Sequence, residues 1–450
     1  MVYGTKTNSG KYLSKSRQTL FSWMRGTKVK GLLFMALTLV FLILALPGFA
    51  LAADAKPLKM GIVYPLSGAM GLVGEGLVAG HKMAAEEIMK AGGFQGRKVE
   101  FIVRDDLGNP ELTTRFTKEL IIKEGVEWLL TGAGSAVGLA ATAVAKEYKM
   151  PTFIIGGGTD KITTEEWNPY IFRYRPTCTA EGRAMARIAA EEVTKDIKNP
   201  KIDWISWDYE YGRALYEPFI AKLKELRPDV KIAGEAWPRT GETDYGPYIS
   251  HMIAVKPDIV VNAIWGGGVI AFLKQGKDRG LWDVSKLLSA AEFSNIEYRT
   301  AIGLDIPDGT WSSTYDAVTW PTNEAHRKFY ELYYKTFPDK PKNLPPHGFV
   351  SPSYYMVHLI NKGMEKAKSS EPMAVIKAME GLTMETYNAT VQVRDFDHQV
   401  TTGYVWAPMI EKKGVSYPVL DDKRMKYVPI EKELFTKEEW LARRKAAGKE

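Results

Sequence analysis

A single cysteine, Cys178, occurs in 450 residues, so no intrachain disulfide can form and a disulfide-stapled scaffold is excluded. Histidine is scarce as well. The six histidines, at 81, 251, 326, 347, 358 and 398, show no metal-ligand spacing, and Asp397-His398-Gln399 reads as a turn or a packing contact. A Walker-type phosphate loop is missing. Gly134-Ser135-Ala136 lacks the flanking glycines of a nucleophile elbow. Gly74-Glu75-Gly76-Leu77-Val78-Ala79 fits a permissive dinucleotide fingerprint, yet it begins well after the strand ending at Tyr64 rather than in its turn, where a pyrophosphate would need it. Neither a metal nor a cofactor is expected, and a catalytic role is disfavoured.

Acidic residues are absent from positions 1–52, which carry seven bases (Lys6, Lys11, Lys15, Arg17, Arg25, Lys28 and Lys30). The formal net charge of the whole chain is +7, so the remainder is balanced and a nucleic-acid partner loses its main support. An apolar run over 31–46 follows the basic segment, then Pro47-Gly48 and the small-residue pattern Ala50-Leu51-Ala52. This reads as a secretory signal over 1–52 with cleavage after Ala52, with Met24 as an alternative start. The run is shorter than the roughly 20 residues that span a bilayer, and no second such run follows. Cysteine does not stand at the cleavage site, so a lipid anchor there is excluded.

What is present is organised around 128–160. A buried strand (126–130), a glycine turn with Ser135, a small-residue helix (137–148) and a second strand (152–155) closed by Gly156-Gly157-Gly158-Thr159 make one βαβ unit. Such units are right-handed, so both glycine-rich strand ends open on the same edge of a parallel sheet. Backbone amides at a helix start lack intrahelical acceptors and suit an anion; a carboxylate or phosphate is the expected guest, with the hydroxyls of Ser135 and Thr159 beside it. Ser135 could equally cap its own helix, and the glycine triplet could serve positive φ or close packing.

Before this unit the sequence predicts strands at 58–64 and 99–103, and a helix opened by Asn109-Pro110-Glu111 with Leu112, Phe116 and Leu120 as its buried stripe. From Ile171 a second set begins, with strands at 202–207, 230–236, 258–264 and 286–290 alternating with helices from about Gly212, Thr243 and Val269. Two runs of alternation imply an α/β protein with two doubly wound lobes. After Gly309 the chain reads as helices without strands of their own (323–337, 352–366, 372–379), then late strands at 390–394, 403–409 and near Val419, and a charged helix or tail over 431–450. The expected division is 53–176 with 312–388 as the first lobe, and 177–311 with 389–430 as the second.

Several of these pieces recur together in one family. Met60-Gly61-Ile62-Val63-Tyr64-Pro65-Leu66-Ser67-Gly68, Gly74-Glu75-Gly76, Gly92-Gly93, Gly96-Arg97, Asp105-Asp106, Gly132-Ala133-Gly134-Ser135, Asn168-Pro169-Tyr170-Ile171-Phe172-Arg173, Tyr211-Gly212 and Asp397-His398-Gln399 occur in that order. The chain resembles the branched-chain amino-acid-type (leucine/isoleucine/valine-binding) periplasmic solute-binding proteins of ABC transporters over most of 58–410. The resemblance implies a type I periplasmic binding protein fold with a three-stranded hinge, no enzymatic activity, a periplasmic monomer, a small-molecule ligand and a membrane permease as partner. A ligand-sensing module on the same fold is the alternative.

Position by position, the resemblance puts the ligand carboxylate on the Ser135 turn and on the loop containing Gly157 and Thr159, the side-chain wall on Tyr211 and Trp265, and the ammonium partner on Glu292. Tyr64, Gly134, Ala136 and Gly158 complete the set as secondary contacts. Ser135-Ala136-Val137 stands where the family often has a run of hydroxyls, and Trp265 where a tyrosine-type aromatic is usual. Read alone, Glu292 fits a solvated acid, and Tyr211 fits packing between lobes.

Overall fold

The computed structural model describes residues 56–315 and 323–449; the leader assigned to 1–52 lies outside the described residues. Among the described residues no helix is long and apolar enough to cross a membrane. The chain begins with β1 (Leu58–Tyr64), α1 (Gly74–Lys90), β2 (Val99–Asp105), α2 (Pro110–Glu119), β3 (Trp128–Thr131), α3 (Ser135–Tyr148), β4 (Thr152–Ile154) and β5 (Ile171–Arg173). These strands form a parallel sheet in the order β2-β1-β3-β4-β5. Helices on both faces bury β1 and β3, so these two read as continuous apolar runs, whereas the edge strand β2 is half-exposed and alternates. Asn109 caps α2, its side chain accepting from the amides of Glu111 (2.8 Å) and Leu112 (3.1 Å).

A second sheet follows from α4 (Cys178–Ile188), β6 (Lys201–Ile205), α5 (Glu210–Leu226), β7 (Lys231–Ala236), α6 (Gly246–Val255), β8 (Ile259–Asn262), α7 (Gly266–Asp278), β9 (Lys286–Ser289), α8 (Ile296–Ile302) and β10 (Thr310–Thr314). After α9 (Glu324–Thr336), α10 (Val350–Ala367) and α11 (Pro372–Met379), a hairpin of β11 (Thr383–Glu385) and β12 (Thr390–Gln392) leads to β13 (Tyr404–Ile410), β14 (Val419–Leu420) and β15 (Lys426–Val428). The order is β14-β13-β10-β9-β8-β6-β7, with β15 also on β13; β13 runs antiparallel to β10. α10 returns along α1, where the buried His81 bonds Tyr64 Oη (2.9 Å) and the Ser353 carbonyl (3.0 Å).

Three readings are corrected. Ile171–Arg173 ends the first sheet instead of opening the second. Thr310–Thr314 is a fully buried strand of the second sheet, where only helices were expected; its polar letters hide it because it lies between β9 and β13 and spends its termini on Thr310 Oγ1 to Pro307 O and Thr314 Oγ1 to Asn295 Oδ1, both 2.6 Å. On α2 the buried stripe is Thr113, Thr117 and Leu120, with Leu112 and Phe116 only half-buried, since Thr113 donates to Asp106 and Thr117 to the Thr113 carbonyl.

The hinge is tied by side chains as well as backbone. Arg173 pairs with Gln399 in a parallel bridge, its Nε donates to Gln399 Oε1, and His398 stacks on Phe172 at 4.5 Å. The charged terminal segment is a docked helix, α12 (Lys437–Ala446), with a reciprocal cap at Thr436 and Glu439. Trp440 Nε1 donates to the Thr163 carbonyl (2.7 Å), Arg443 pairs with Glu165 (2.7 Å), and the preceding Glu433 pairs with Arg187 on α4 (2.7 Å).

One acid in the second sheet is poorly accommodated. Asp203 on β6 is fully buried, both carboxylate oxygens lack a hydrogen bond among the described residues, and His251 Nε2 lies 3.6 Å away. Burial, only partly opposed by His251, pushes its pKa up to about 6. The folded chain therefore holds a proton that the unfolded chain has released between about pH 4 and pH 6, so this group costs stability as pH rises through that window. Asp203→Asn is expected to raise the urea midpoint relative to wild type at pH 7 and to lose that advantage near pH 4; an equal effect at both values contradicts the assignment.

Candidate functional site

The cavity between the two sheets is lined from one side by Ala133, Gly134, Ser135, Ile155 and Gly156, at the carboxyl ends of β3 and β4, with Val73, Leu77 and Phe349. From the other side come Tyr209, Tyr211, Trp265, Ala291, Glu292 and Tyr298, and Arg175 enters from the segment after β5. This is the edge at which open α/β sheets place ligands, because strand ends and helix starts converge there. Trp265 lies over the glycine turn: a Cβ placed on Gly134 would stand 3.5 Å from its Cζ2. Its Nε1 donates to Tyr209 Oη, and Tyr298 Oη accepts from the Gly266 amide (3.1 Å). The walls are thus flat, apolar and fixed by hydrogen bonds at their polar tips.

At one end, α3 begins at Ser135 with Gly134 as its cap residue and no side-chain cap. The Ser135 hydroxyl does not cap its helix; it accepts from the Thr159 amide at 3.1 Å, which leaves its proton and the first-turn amides to face a guest. At the other end Arg175, 3 % exposed, donates through Nε to Glu292 Oε1 (3.0 Å), through Nη2 to Glu181 Oε2 (2.7 Å) and to Tyr211 Oη (3.3 Å). Tyr211 in turn donates to Glu181, and the Ala291 amide donates to Glu181 Oε1, both at 3.1 Å. Tyr404 donates to the same Oε1 of Glu292, so Glu292 Oε2 takes no hydrogen bond among the described residues. Ala291 and Glu292 hold left-handed φ values of 60° and 52°, a conformation costing about 1–2 kcal/mol each that persists where surroundings over-determine it.

The electrostatics follow from burial. Desolvation pushes the Glu292 carboxyl up against the pull of Arg175, with Glu181 adding to the rise. For Arg175, desolvation alone lowers the pKa, and the two carboxylates more than reverse it. Cys178, buried beneath the same network, has its thiol pushed well above the ordinary range by burial.

Of the sequence-derived candidates, Ser135, Gly134, Tyr211, Trp265 and Glu292 meet around this cavity. Gly157, Gly158, Thr159, Tyr64 and Ala136 do not line it. Thr159 instead lines a separate groove with Lys161 and Glu210, its hydroxyl donating to Glu210 (2.6 Å). Arg173 Nη1 collects the carbonyls of Gly157, Gly158 and Thr159, which fastens that loop to the hinge. Tyr64 is spent on His81. The glycine triplet serves close packing: a Cβ would stand 2.8 Å from Ala133 at Gly156, 2.6 Å from Ile162 at Gly157 and 2.1 Å from Arg175 Nη1 at Gly158.

Sequence reasoning missed Arg175, Tyr209, Tyr298 and Phe349. Tyr209 shares the Asp208-Tyr209-Glu210-Tyr211 loop and could have been read with Tyr211. Arg175 carried one signal, a charge that stands with Arg173 in the otherwise uncharged hinge stretch 169–180. Replacing it with Met leaves two buried carboxylates without their cation, a loss of about 3–5 kcal/mol. Arg175→Met is expected to unfold at markedly lower urea and to recover as pH falls and the acids protonate; a pH-independent loss contradicts the role.

Comparison with known proteins agrees with this architecture. Over 348 residues, 75% of this chain and 83% of the relative, the sequence is 26% identical to Leu/Ile/Val-binding protein homolog 8 of Brucella suis biovar 1. A solute-binding protein of an ABC transporter from Rhodopseudomonas palustris BisB5, solved with 3,4-dihydroxybenzoic acid, superposes with a TM-score of 0.73 at 21% identity, covering 84% of this chain and 100% of that one. An ABC-type branched-chain amino acid transporter protein from Rhodopseudomonas palustris CGA009 gives a TM-score of 0.65 at 23% identity, covering 84% and 98%. Both share the fold. The model of the family described as periplasmic binding protein matches residues 57–414, and the chain belongs to that family.

Proposed function

We propose that the protein is the extracytoplasmic solute-binding component of an ABC transporter, exported with residues 1–52 removed. As a monomer it captures an amino acid or related small carboxylate between its two sheets and delivers it to a membrane permease. The observation that carries this reading is a cleft with unlike ends: a helix start at Gly134-Ser135, and the unengaged Oε2 of a buried glutamate. A carboxylate fits the first, through backbone amides and the Ser135 hydroxyl. An ammonium fits the second, because a carboxylate oxygen that the closing cleft removes from water is costly without a donor. Between them Trp265, Tyr209, Tyr211, Tyr298 and Phe349 suit a branched or aromatic side chain.

Binding closes the lobes by hinge motion and excludes water, which strengthens the charged contacts. Micromolar affinity corresponds to about −8 kcal/mol, within reach of one ion pair, a few amide contacts and an apolar side chain. A role in binding rather than turnover fits the two nucleophile candidates among the described residues. The Ser135 hydroxyl is met by a backbone amide rather than a base, and the Cys178 thiol is held protonated by burial.

Thermal-shift screening of residues 53–450, refolded to strip carried ligand, is expected to show stabilisation rising with concentration of branched or aromatic amino acids. Glu292→Ala is expected to weaken that binding tenfold or more by calorimetry, and Ser135→Ala to weaken it by less because the amides remain. Unchanged affinity in Glu292→Ala removes its ammonium role. N-terminal sequencing of the exported chain checks cleavage after Ala52.

A further inference from the structure

Charge at the Glu292 end of the cleft does not balance. Among the described residues Arg175 is the only cation facing Glu292, and it is shared with Glu181 on α4; each carboxylate takes one of its nitrogens. Glu181 is saturated, with Arg175, Tyr211 and the Ala291 amide on its two oxygens. The remaining groups around Glu292 are phenols: Tyr211 on α5, Tyr298 on α8, Tyr315 just beyond β10 and Tyr404 on β13, all buried and all pushed upward by that burial, so none supplies or removes charge at neutral pH. From the opposite wall Val73, Leu77, Ser135 and Phe349 carry no titrating group. Glu297 on α8 belongs to another pair, 3.4 Å from His347 and accepting from the Gly348 amide.

Two carboxylates and one guanidinium leave one uncompensated negative charge, and its remaining acceptor is Glu292 Oε2, on a side chain 4% exposed that lines the cavity. An isolated buried charge is neutralised by a partner or by a proton. On the reading that the cleft captures a small carboxylate, we infer that it selects its guest by total charge: an amino acid brings the missing positive charge as its ammonium, whereas an amine-free carboxylic acid enters only with one proton taken from solvent onto Glu292 Oε2. Arg175 is thereby a specificity-determining residue, since a second cation in the cluster would remove the requirement. The aromatic walls accept either guest, so the discrimination rests on charge and on pH. Acidic conditions open the site to acids that neutral conditions exclude, whereas amino acids bind without proton uptake wherever Glu292 is ionised.

The test is calorimetry on the mature chain with two matched pairs, L-leucine with 4-methylpentanoate and L-phenylalanine with 3-phenylpropanoate, each titrated in buffers of different ionisation enthalpy between about pH 5.5 and pH 8. At pH values where Glu292 is already ionised in the free protein, the expected result is no net proton exchange and flat affinity for the amino acid; below that, the amino acid should release a proton and weaken. Its amine-free partner should take up about one proton and weaken by about tenfold per pH unit once Glu292 is ionised. In Glu292→Gln the amine-free acid should bind with flat pH dependence, and the amino acid should lose tenfold or more. Amine-free acids that bind wild type without proton uptake, or that fail to bind even at pH 5.5 while the amino acid binds, overturn the charge rule and leave the capture of carboxylates standing. If no member of either pair binds, the capture reading falls and the charge rule with it.

Discussion

A guanidinium held by two buried carboxylates sets the shape of this protein's cleft. Arg175 leaves the hinge segment and meets Glu181 and Glu292, which are far apart in sequence and arrive on different elements of the second sheet. Removing three such groups from water is affordable only if their hydrogen bonds are nearly complete. The surrounding chain supplies them: an amide from Ala291, hydroxyls from Tyr211 and Tyr404, and a left-handed backbone at Ala291 and Glu292 that aims them. The absence of a side chain at Gly158 belongs to the same constraint, because any Cβ there would occupy the space of the guanidinium.

The hinge beside this cluster is reinforced differently. Arg173, two residues earlier, gathers the carbonyls that follow β4 and bonds Gln399 on the segment between β12 and β13. α12 then fastens the 163–167 segment from outside through Trp440, Arg443 and Arg444, beyond the residues matched by the family model. One arginine orders the backbone between the sheets; the next orders the polar end of the site. The aromatic wall of Tyr209, Tyr211 and Trp265 is held together by Trp265 Nε1 on Tyr209 and by Tyr211 on Glu181.

Much of the architecture was legible in the sequence because it rests on local signals. Apolar runs buried on both faces gave β1, β3 and β8, Asn109-Pro110 gave the start of α2, and Glu371-Pro372 sits at the start of α11. The strand Thr310–Thr314 escaped because its burial comes from partners on both sides, not from its own letters. In the site, the position of Ser135 was readable from the rule that strand ends open on the cleft, whereas Glu292 was placed there by the family resemblance and read alone as a solvated acid. Thr159 looked equivalent to Ser135 by the same rule, and it is diverted by a long-range contact with Glu210 that no spacing announces. Arg175 lay hidden for a related reason: a buried charge is recognisable only once its partners, 6 and 117 positions away, are brought beside it.

The account stands on the two unlike ends of the cleft, and the most direct measurement is a crystal structure of the mature chain carrying the ligand it retains from its own host. The expected map shows a zwitterion with its carboxylate on the first turn of α3 at Ser135, its nitrogen within hydrogen-bond distance of Glu292 Oε2, and its side chain between Trp265 and Phe349. A retained ligand with no nitrogen near Glu292 at neutral pH and an ionised Glu292, or one whose carboxylate lies on Arg175 with Glu292 displaced, would contradict it.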